Sequence, residues 1–404
     1  MDTSLQLILI CGIIIVAYLI EIFAKRAKVP AILFLILLGI IMREVSDHFE
    51  LITFDFTPVI PVLGTFGLIL IVFEGSLELD YGKHKNRIIR NAFLSSLLVM
   101  GVTSILIALL ISRISGYSFN HSLVNAIPLS IISSAIAIPS VGSMTQKTKE
   151  FITYESTFSD ILGIVLFNYA IAFPVVNGQM FGKLGGELAI LVLMSLTACL
   201  LLLFLLKKIT HPVKFILIIT VLVLMFAIGK YFHLSSLILV LIFGLFLRNL
   251  HLIQRRVFQR YFNYSGFEKD FSFLHQITAE GVFLIKTFFF VIFGFIIDFK
   301  QLVNVQTIMI SLAVIGIIYV VRAPVIRLIT GKYRPMTYIA PRGLITILLF
   351  LSIPESFHIP QVNVGILFIV VLTTSFLMLM GRNEEPEEPV LEIEEAIPEE
   401  ELEE

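Results

Sequence analysis

The chain has 404 residues, 57% of them hydrophobic and 15% charged, with a net charge of −1 and a mean hydropathy of +0.97. Those values exclude an ordinary soluble domain and fit a polytopic membrane protein. The near-neutral balance hides an asymmetry: residues 384–404 are mostly Glu, Pro and scattered aliphatics, so the apolar body is basic and the tail acidic.

In chain order, hydropathy predicts thirteen spans, at about 5–24, 30–43, 58–79, 91–112, 121–144, 151–175, 187–206, 213–229, 234–248, 273–297, 302–326, 336–354 and 362–381. A spanning helix needs about 20 apolar residues. The second and ninth spans fall short of that, so each is expected to extend into the interface or to be partly re-entrant. Met1 to Gln6 carries no basic n-region, so the first span is expected to be retained. Cys11 and Cys199 lie inside apolar runs and give no disulfide framework. Residues 249–272 form the longest internal loop, where basic residues alternate with Phe and Tyr. That pattern suits either a cytoplasmic interfacial helix or an ordinary basic loop. The acidic tail is expected to be disordered.

Charge placement tests the count. With the N-terminus outside, only Arg43, Arg113, Lys183, Lys230 and Lys300 fall on the outer side, and Lys286, Arg322 and Arg342 fall within spans. The remaining 21 of the 29 basic residues lie on the inner side. This steady bias predicts an N-out, C-in topology, because a missed helix would invert it downstream.

Two spans carry material that a plain lipid-facing helix avoids. The fifth contains Ser133-Ser134-Ala135-Ile136-Ala137-Ile138-Pro139-Ser140, and the twelfth contains Tyr338-Ile339-Ala340-Pro341-Arg342-Gly343. Irregular backbone at this depth survives only where protein or a watery cavity covers it. The two segments are seven spans apart and therefore cross in opposite directions. The fold class expected is all-α, with inverted repeats whose two broken helices cross near the midplane. Either segment alone also fits an ordinary proline kink.

Buried charge points to the site. Asp160 lies in the sixth span, in Glu155-Ser156-Thr157-Phe158-Ser159-Asp160 followed by an apolar run. A carboxylate at bilayer depth is expensive and marks an ion or proton path. Arg322, in the eleventh span, is expected to face a carboxylate or broken-helix carbonyls rather than to snorkel, since Arg327 already occupies the inner interface. Lys286, central in the tenth span, is expected to line a cavity. Glu74 stands near the inner end of the third span, where an interfacial acid is unexceptional.

These motifs together resemble the monovalent cation:proton antiporter superfamily, of the bacterial sodium/proton exchanger type with some features of the potassium-efflux branch. Glu155 to Asp160 is similar to an E-S-x-x-N-D run, Phe73-Glu74-Gly75-Ser76-Leu77 to F-E-G-G-L, and Pro341-Arg342-Gly343 to an L-R-G element. Thr287-Phe288-Phe289-Phe290-Val291-Ile292-Phe293-Gly294 is similar to an F-F-x-x-x-G stretch shared with the potassium-efflux branch, and Ser133-Ser134-Ala135 is closer to that branch, which uses S-S-x-A. The resemblance implies that Asp160 binds the cation and the proton and that Arg322 and Arg342 balance charge in the core. It implies a homodimer in a bacterial inner membrane. It also implies a moving core, about 91–175 and 302–381, and a dimer scaffold, about 5–79 and 187–297. Two departures bear on the ion. Ser159 stands where the family has Asn or Asp, and the T-D-P triplet reads Ala137-Ile138-Pro139.

The function expected is exchange of Na⁺ or K⁺ for protons, one for one. Asp160 is the shared site, and Glu155, Ser156, Ser159 and Ser134 are candidate oxygen donors. A potassium-efflux-type conducting protein and a sodium-coupled solute symporter are the alternatives. A regulatory nucleotide domain would favour the first, and a polar substrate pocket the second. No metal cluster, nucleophile motif or phosphate loop points to an enzyme, and no cofactor or nucleic-acid partner is expected.

Overall fold

The computed structural model describes residues 3–27, 29–49, 59–79, 85–142, 144–172, 178–208, 215–232, 234, 236–250, 267–297, 302–331 and 335–381. The acidic tail and most of the basic loop lie outside the described residues. The regular elements among the described residues are all helices, without a strand, and they map onto all thirteen expected spans.

The first three helices are α1 (Thr3–Ala27), α2 (Ala31–Phe49) and α3 (Val59–Glu78). At 19 residues α2 runs past the short apolar window, through Arg43. The Arg43 guanidinium donates to the carbonyls of Ile296 and Ile297, which explains how a charge is tolerated there. Helix α4 (Asn86–Ser115) ends at Gly116, whose φ of 75° gives a left-handed cap bonded to Ser112 O. It inverts the pattern of a soluble helix. Phe93, Leu97, Leu98, Ile105 and Leu109 are exposed, whereas Ser95, Ser96, Thr103 and Ser104 are buried. Large apolar side chains suit lipid, and small hydroxyl residues let helices approach closely.

The fifth span is broken. Helix α5 (Phe119–Ser130) starts at Ser118, whose hydroxyl accepts the His121 N–H, and stops before residues 131–133. Helix α6 (Ser134–Ser140) completes the crossing. The break precedes Pro139, which lies inside α6, so Ala137-Ile138-Pro139 is not the point of irregularity. Helix α7 (Gln146–Ala172) then carries Glu155 and Asp160.

Helices α8 (Gly178–Lys208), α9 (Phe215–Tyr231), α10 (Ser236–Arg248) and α11 (Phe267–Ile296) follow. Helix α10 remains short at 13 residues, about 20 Å. It packs against α3, α8 and α9 and buries Ile238, Leu239, Val240, Phe243 and Leu247, so its length is not set by lipid. Helix α12 (Val305–Thr330) is capped by Asn304 at its start and by left-handed Gly331 at its end. The twelfth span enters as turns and extended chain through 335–343 and becomes helical only in α13 (Leu344–Leu351). Helix α14 (Val364–Leu377) closes the bundle and ends in a 3₁₀ turn through Gly381.

The packing falls into two sets. Helix α4 packs on α5, α7 and α12, and α12 also on α14; α11 packs on α2 and α3, and α10 on α3 and α8. In the second set, added Cβ atoms on Gly39 and Gly294 would each strike backbone of the opposite helix, at Val291 and Ile36. Helices α2 and α11 therefore touch backbone to backbone.

Candidate functional site at the crossing of the two broken segments

The two irregular segments meet. The Ser133 N–H donates to Pro341 O at 2.9 Å across the crossing. A Cβ on Gly343 would lie 2.6 Å from Ser133 Oγ and 2.9 Å from its Cβ. Glycine is therefore required at 343 by close approach, not by its backbone angle.

The freed amides of the first break are all served. Ile131 N–H reaches Pro128 O at 3.5 Å, at the edge of a hydrogen bond, and Ile132 N–H donates to Ser159 Oγ at 2.9 Å. Ser133 N–H goes to Pro341, and Ser134 N–H donates to Asp160 Oδ2 at 3.1 Å. Buried backbone must be paired, and here two consecutive side chains of α7 supply acceptors that the helix lost. The outgoing carbonyls are served by Arg342. Its Nε donates to Leu129 O at 3.1 Å and its Nη2 to Ser130 O at 3.2 Å. A third bond runs from Nη1 to Ala340 O at 2.7 Å.

The second break is served by Arg322. Its Nε and Nη2 donate to Met336 O at 3.1 and 2.9 Å, and Nη2 also to Ile339 O at 2.9 Å. The same guanidinium forks onto Glu155, with Nη1 to Oε1 at 3.0 Å and Nη2 to Oε2 at 2.8 Å. Ser95 of α4 donates to Glu155 Oε1 at 2.6 Å. Arg322 and Arg342 are both fully buried, and Glu155 is 1% exposed. Paired, bidentate and further hydrogen-bonded is the condition under which such charges are tolerated away from water.

Asp160 differs from Glu155 in one respect. Its Oδ1 is buried and has no hydrogen-bond partner among the described residues. One carboxylate is saturated; the other keeps an open oxygen. The hydroxyls of Ser133 and Thr346 are likewise buried and unpartnered among the described residues.

The candidate donors thus separate. Asp160, Ser134 and Ser159 come together at the break, Ser134 through its backbone and Ser159 as acceptor for a backbone amide. Ser156 turns away and donates to Ile152 O at 2.7 Å within its own helix. Glu155 faces Arg322. The pairing spans 167 residues and no local spacing announces it. Ser95 was outside the expected set; its signal is the serine pair Ser95-Ser96 inside an apolar span.

A cavity of about 290 Å³ opens between α1, α2, α6 and α11. Ala135 and Ile136, next to Ser134, form part of its wall, with Glu21, Ser140, Lys286 and Thr287 among the polar lining. Lys286 lies 3.9 Å from Glu74 of α3.

Comparison with known proteins agrees with this architecture. The family model described as "Sodium/hydrogen exchanger, transmembrane" matches residues 12–380. Two solved structures of the sodium proton antiporter MjNhaP1 from Methanocaldococcus jannaschii are similar in fold. One, at pH 8, has 18% identity and a TM-score of 0.66 and covers 95% of this chain and 100% of that one. The other, an electron-microscopy map, has 16% identity and a TM-score of 0.67 and covers 94% and 95%. No curated protein matches.

Proposed function

The chain belongs to the sodium/hydrogen exchanger family, and on that premise we propose that it exchanges a monovalent cation, Na⁺ or K⁺, for protons by alternating access, with Asp160 as the shared site. The observation that carries the reading is the contrast between the two buried carboxylates of α7. Glu155 is held by Arg322 and Ser95. Asp160 has one oxygen on the Ser134 amide and one open. An open oxygen in a buried carboxylate is a place for a proton or a hard cation.

The cycle follows from this chain's own groups. Asp160 binds either species and not both, because one negative charge serves them. The open Oδ1, the free hydroxyl of Ser133, loop carbonyls and water form the oxygen set that a small hard cation prefers. Loading offsets the carboxylate charge and lowers the cost of passing an apolar barrier. Arg322 and Arg342 hold the carbonyls of the two breaks, so the crossing keeps its shape while Asp160 changes state. The set α4–α7 with α12–α14 moves as the core, and the remaining helices form the scaffold of a homodimer in the inner membrane, with the N-terminus outside. The cavity beside α6 then opens to the cytoplasm. With a titrating charge at Asp160 alone and serine at 159, each half-cycle moves the same charge, and the exchange is electroneutral. In a cell such exchange contributes to pH homeostasis.

The test is proton flux in proteoliposomes with Na⁺, Li⁺ and K⁺ supplied in turn. Wild type exchanges, and Asp160→Asn, at equal incorporation, is silent with every cation because an amide has no exchangeable proton in this range. Exchange by Asp160→Asn at the wild-type rate removes Asp160 from the mechanism.

A further inference from the structure

Lys286 is left over when the crossing has been accounted for. It projects from α11 into the cavity wall, 3.9 Å from Glu74, and the two side chains keep 24% and 18% of their surface exposed. The pair is thus partly hydrated, unlike Glu155 and Arg322. Glu78 follows Glu74 by four residues, on the same face of α3 and at its end. The cavity that Lys286 lines also runs along Ala135 and Ile136 of α6, next to Ser134, whose amide holds Asp160. One ammonium thus stands at the acidic end of α3 and on the cavity that leads to Asp160. Glu280, on the same helix as Lys286, is engaged elsewhere, by the Tyr18 hydroxyl at 2.7 Å. Beside Lys286, Thr287 lines the cavity with a buried hydroxyl that has no partner among the described residues.

A lysine ammonium is a compact, strongly hydrated point charge on a flexible stem. In charge and hardness it is the same kind of object as the transported ion, but it cannot leave. It stabilises the acidic cluster when no ion is present, so less is gained when a free cation arrives. We propose that Lys286 is a tethered competitor that sets the apparent affinity of the exchanger for its cation, weakening retention and speeding release. The proposal rests on Asp160 being the ion site. It makes Lys286 a positioning residue that acts through the field of Glu74, Glu78 and Asp160 without moving a proton itself.

The experiment uses the full chain in proteoliposomes and reads KM for Na⁺ and Vmax separately. Lys286→Met and Lys286→Gln remove the charge and keep a long side chain. Both should lower KM about tenfold, equivalent to ~1.4 kcal/mol, with Vmax falling as release slows. Lys286→Arg keeps the charge and should hold KM near the wild-type value. The double variant Glu74→Gln/Lys286→Met has the same net charge as wild type, and its KM should return toward wild type. A purely structural lysine gives the opposite pattern: lower thermal stability and Vmax, an unmoved KM and no recovery in the double variant. KM unchanged or raised in both neutral single variants overturns the proposal. A parallel Asp160→Asn arm separates the two ideas, since wild-type exchange there overturns the Asp160 reading itself.

Discussion

Arg322 makes five hydrogen bonds, from Nε, Nη1 and Nη2, to Glu155, Met336 and Ile339, and it is fully buried. Removing one member of such a pair leaves a buried charge uncompensated, a loss of about 3–5 kcal/mol. Arg322→Ala should therefore lower the melting temperature of the purified protein as well as transport. Arg322→Lys should recover part of both, because the charge remains and the planar fork does not. Unchanged melting and transport in Arg322→Ala would show that Glu155 is satisfied without it. At this scale the sequence was informative about cost and about the kind of partner Arg322 needs, a carboxylate or broken-helix carbonyls, but not about which residues supply them. Asp160 and Arg322 stand out because charge in an apolar run is expensive wherever it points. Glu155 was a candidate donor through the run it shares with Asp160. Its bonds to Arg322 and Ser95 depend on the packing of α4, α7 and α12, which no spacing within α7 encodes. Arg342 was legible as a buried charge, but not as the donor that closes the carbonyls of Leu129 and Ser130.

The two broken elements hold each other through contacts that neither could make alone. Gly343 sits where the backbones touch, with φ of −160°, ordinary extended chain. Alanine there is harmless to the backbone angle and costly in space, because Ser133 is in the way. Gly343→Ala should depress transport and stability together. Adding Ser133→Gly removes the obstructing side chain and should restore part of the melting temperature, while transport stays low because the Ser133 hydroxyl is lost from the proposed cation site. No recovery in the double variant would place the clash elsewhere, at Ile136, whose Cδ1 lies 2.6 Å from the same Cβ position. The break itself was legible as a region and misjudged in detail. Pro139 is a conspicuous cue, yet its missing N–H costs one bond inside α6. The actual interruption at 131–133 is paid by side chains of another helix, and a local reading sees no acceptor there.

For the whole molecule the prediction is electrical. If Asp160 is the one titrating carboxylate of the cycle, as proposed, neither half-cycle carries net charge relative to the other. An imposed potential then has nothing to act on, whereas one net charge would feel about 2.3 kcal/mol per 100 mV. Exchange of Na⁺ or Li⁺ should be insensitive to a potential clamped with potassium and valinomycin. The same competition makes the rate bell-shaped in pH. Acid fills Asp160 with protons and raises the apparent KM for the cation; alkali starves the exchanger of its other substrate. A steady current on a solid-supported membrane would sink the one-for-one assignment, and a KM flat across the acid limb would require separate sites. The all-helical architecture was readable from hydropathy and charge bias because lipid constrains every span alike. The grouping of helices into a core and a scaffold came only from the family resemblance, since contacts between distant spans leave no local trace beyond small residues such as Gly39 and Gly294.

The Ser134 amide gives the protein a spectroscopic voice. Its N–H bond ends on Asp160, the carboxylate proposed to change state in each turnover. When Asp160 takes up a proton or a cation, the acceptor loses electron density and that bond lengthens. The amide frequency of one isotopically labelled peptide unit, at the Ser133–Ser134 linkage, therefore reads site occupancy directly. The neighbouring amide of Ser133, bonded across the crossing to Pro341, serves as its internal standard, since its acceptor carries no charge to lose.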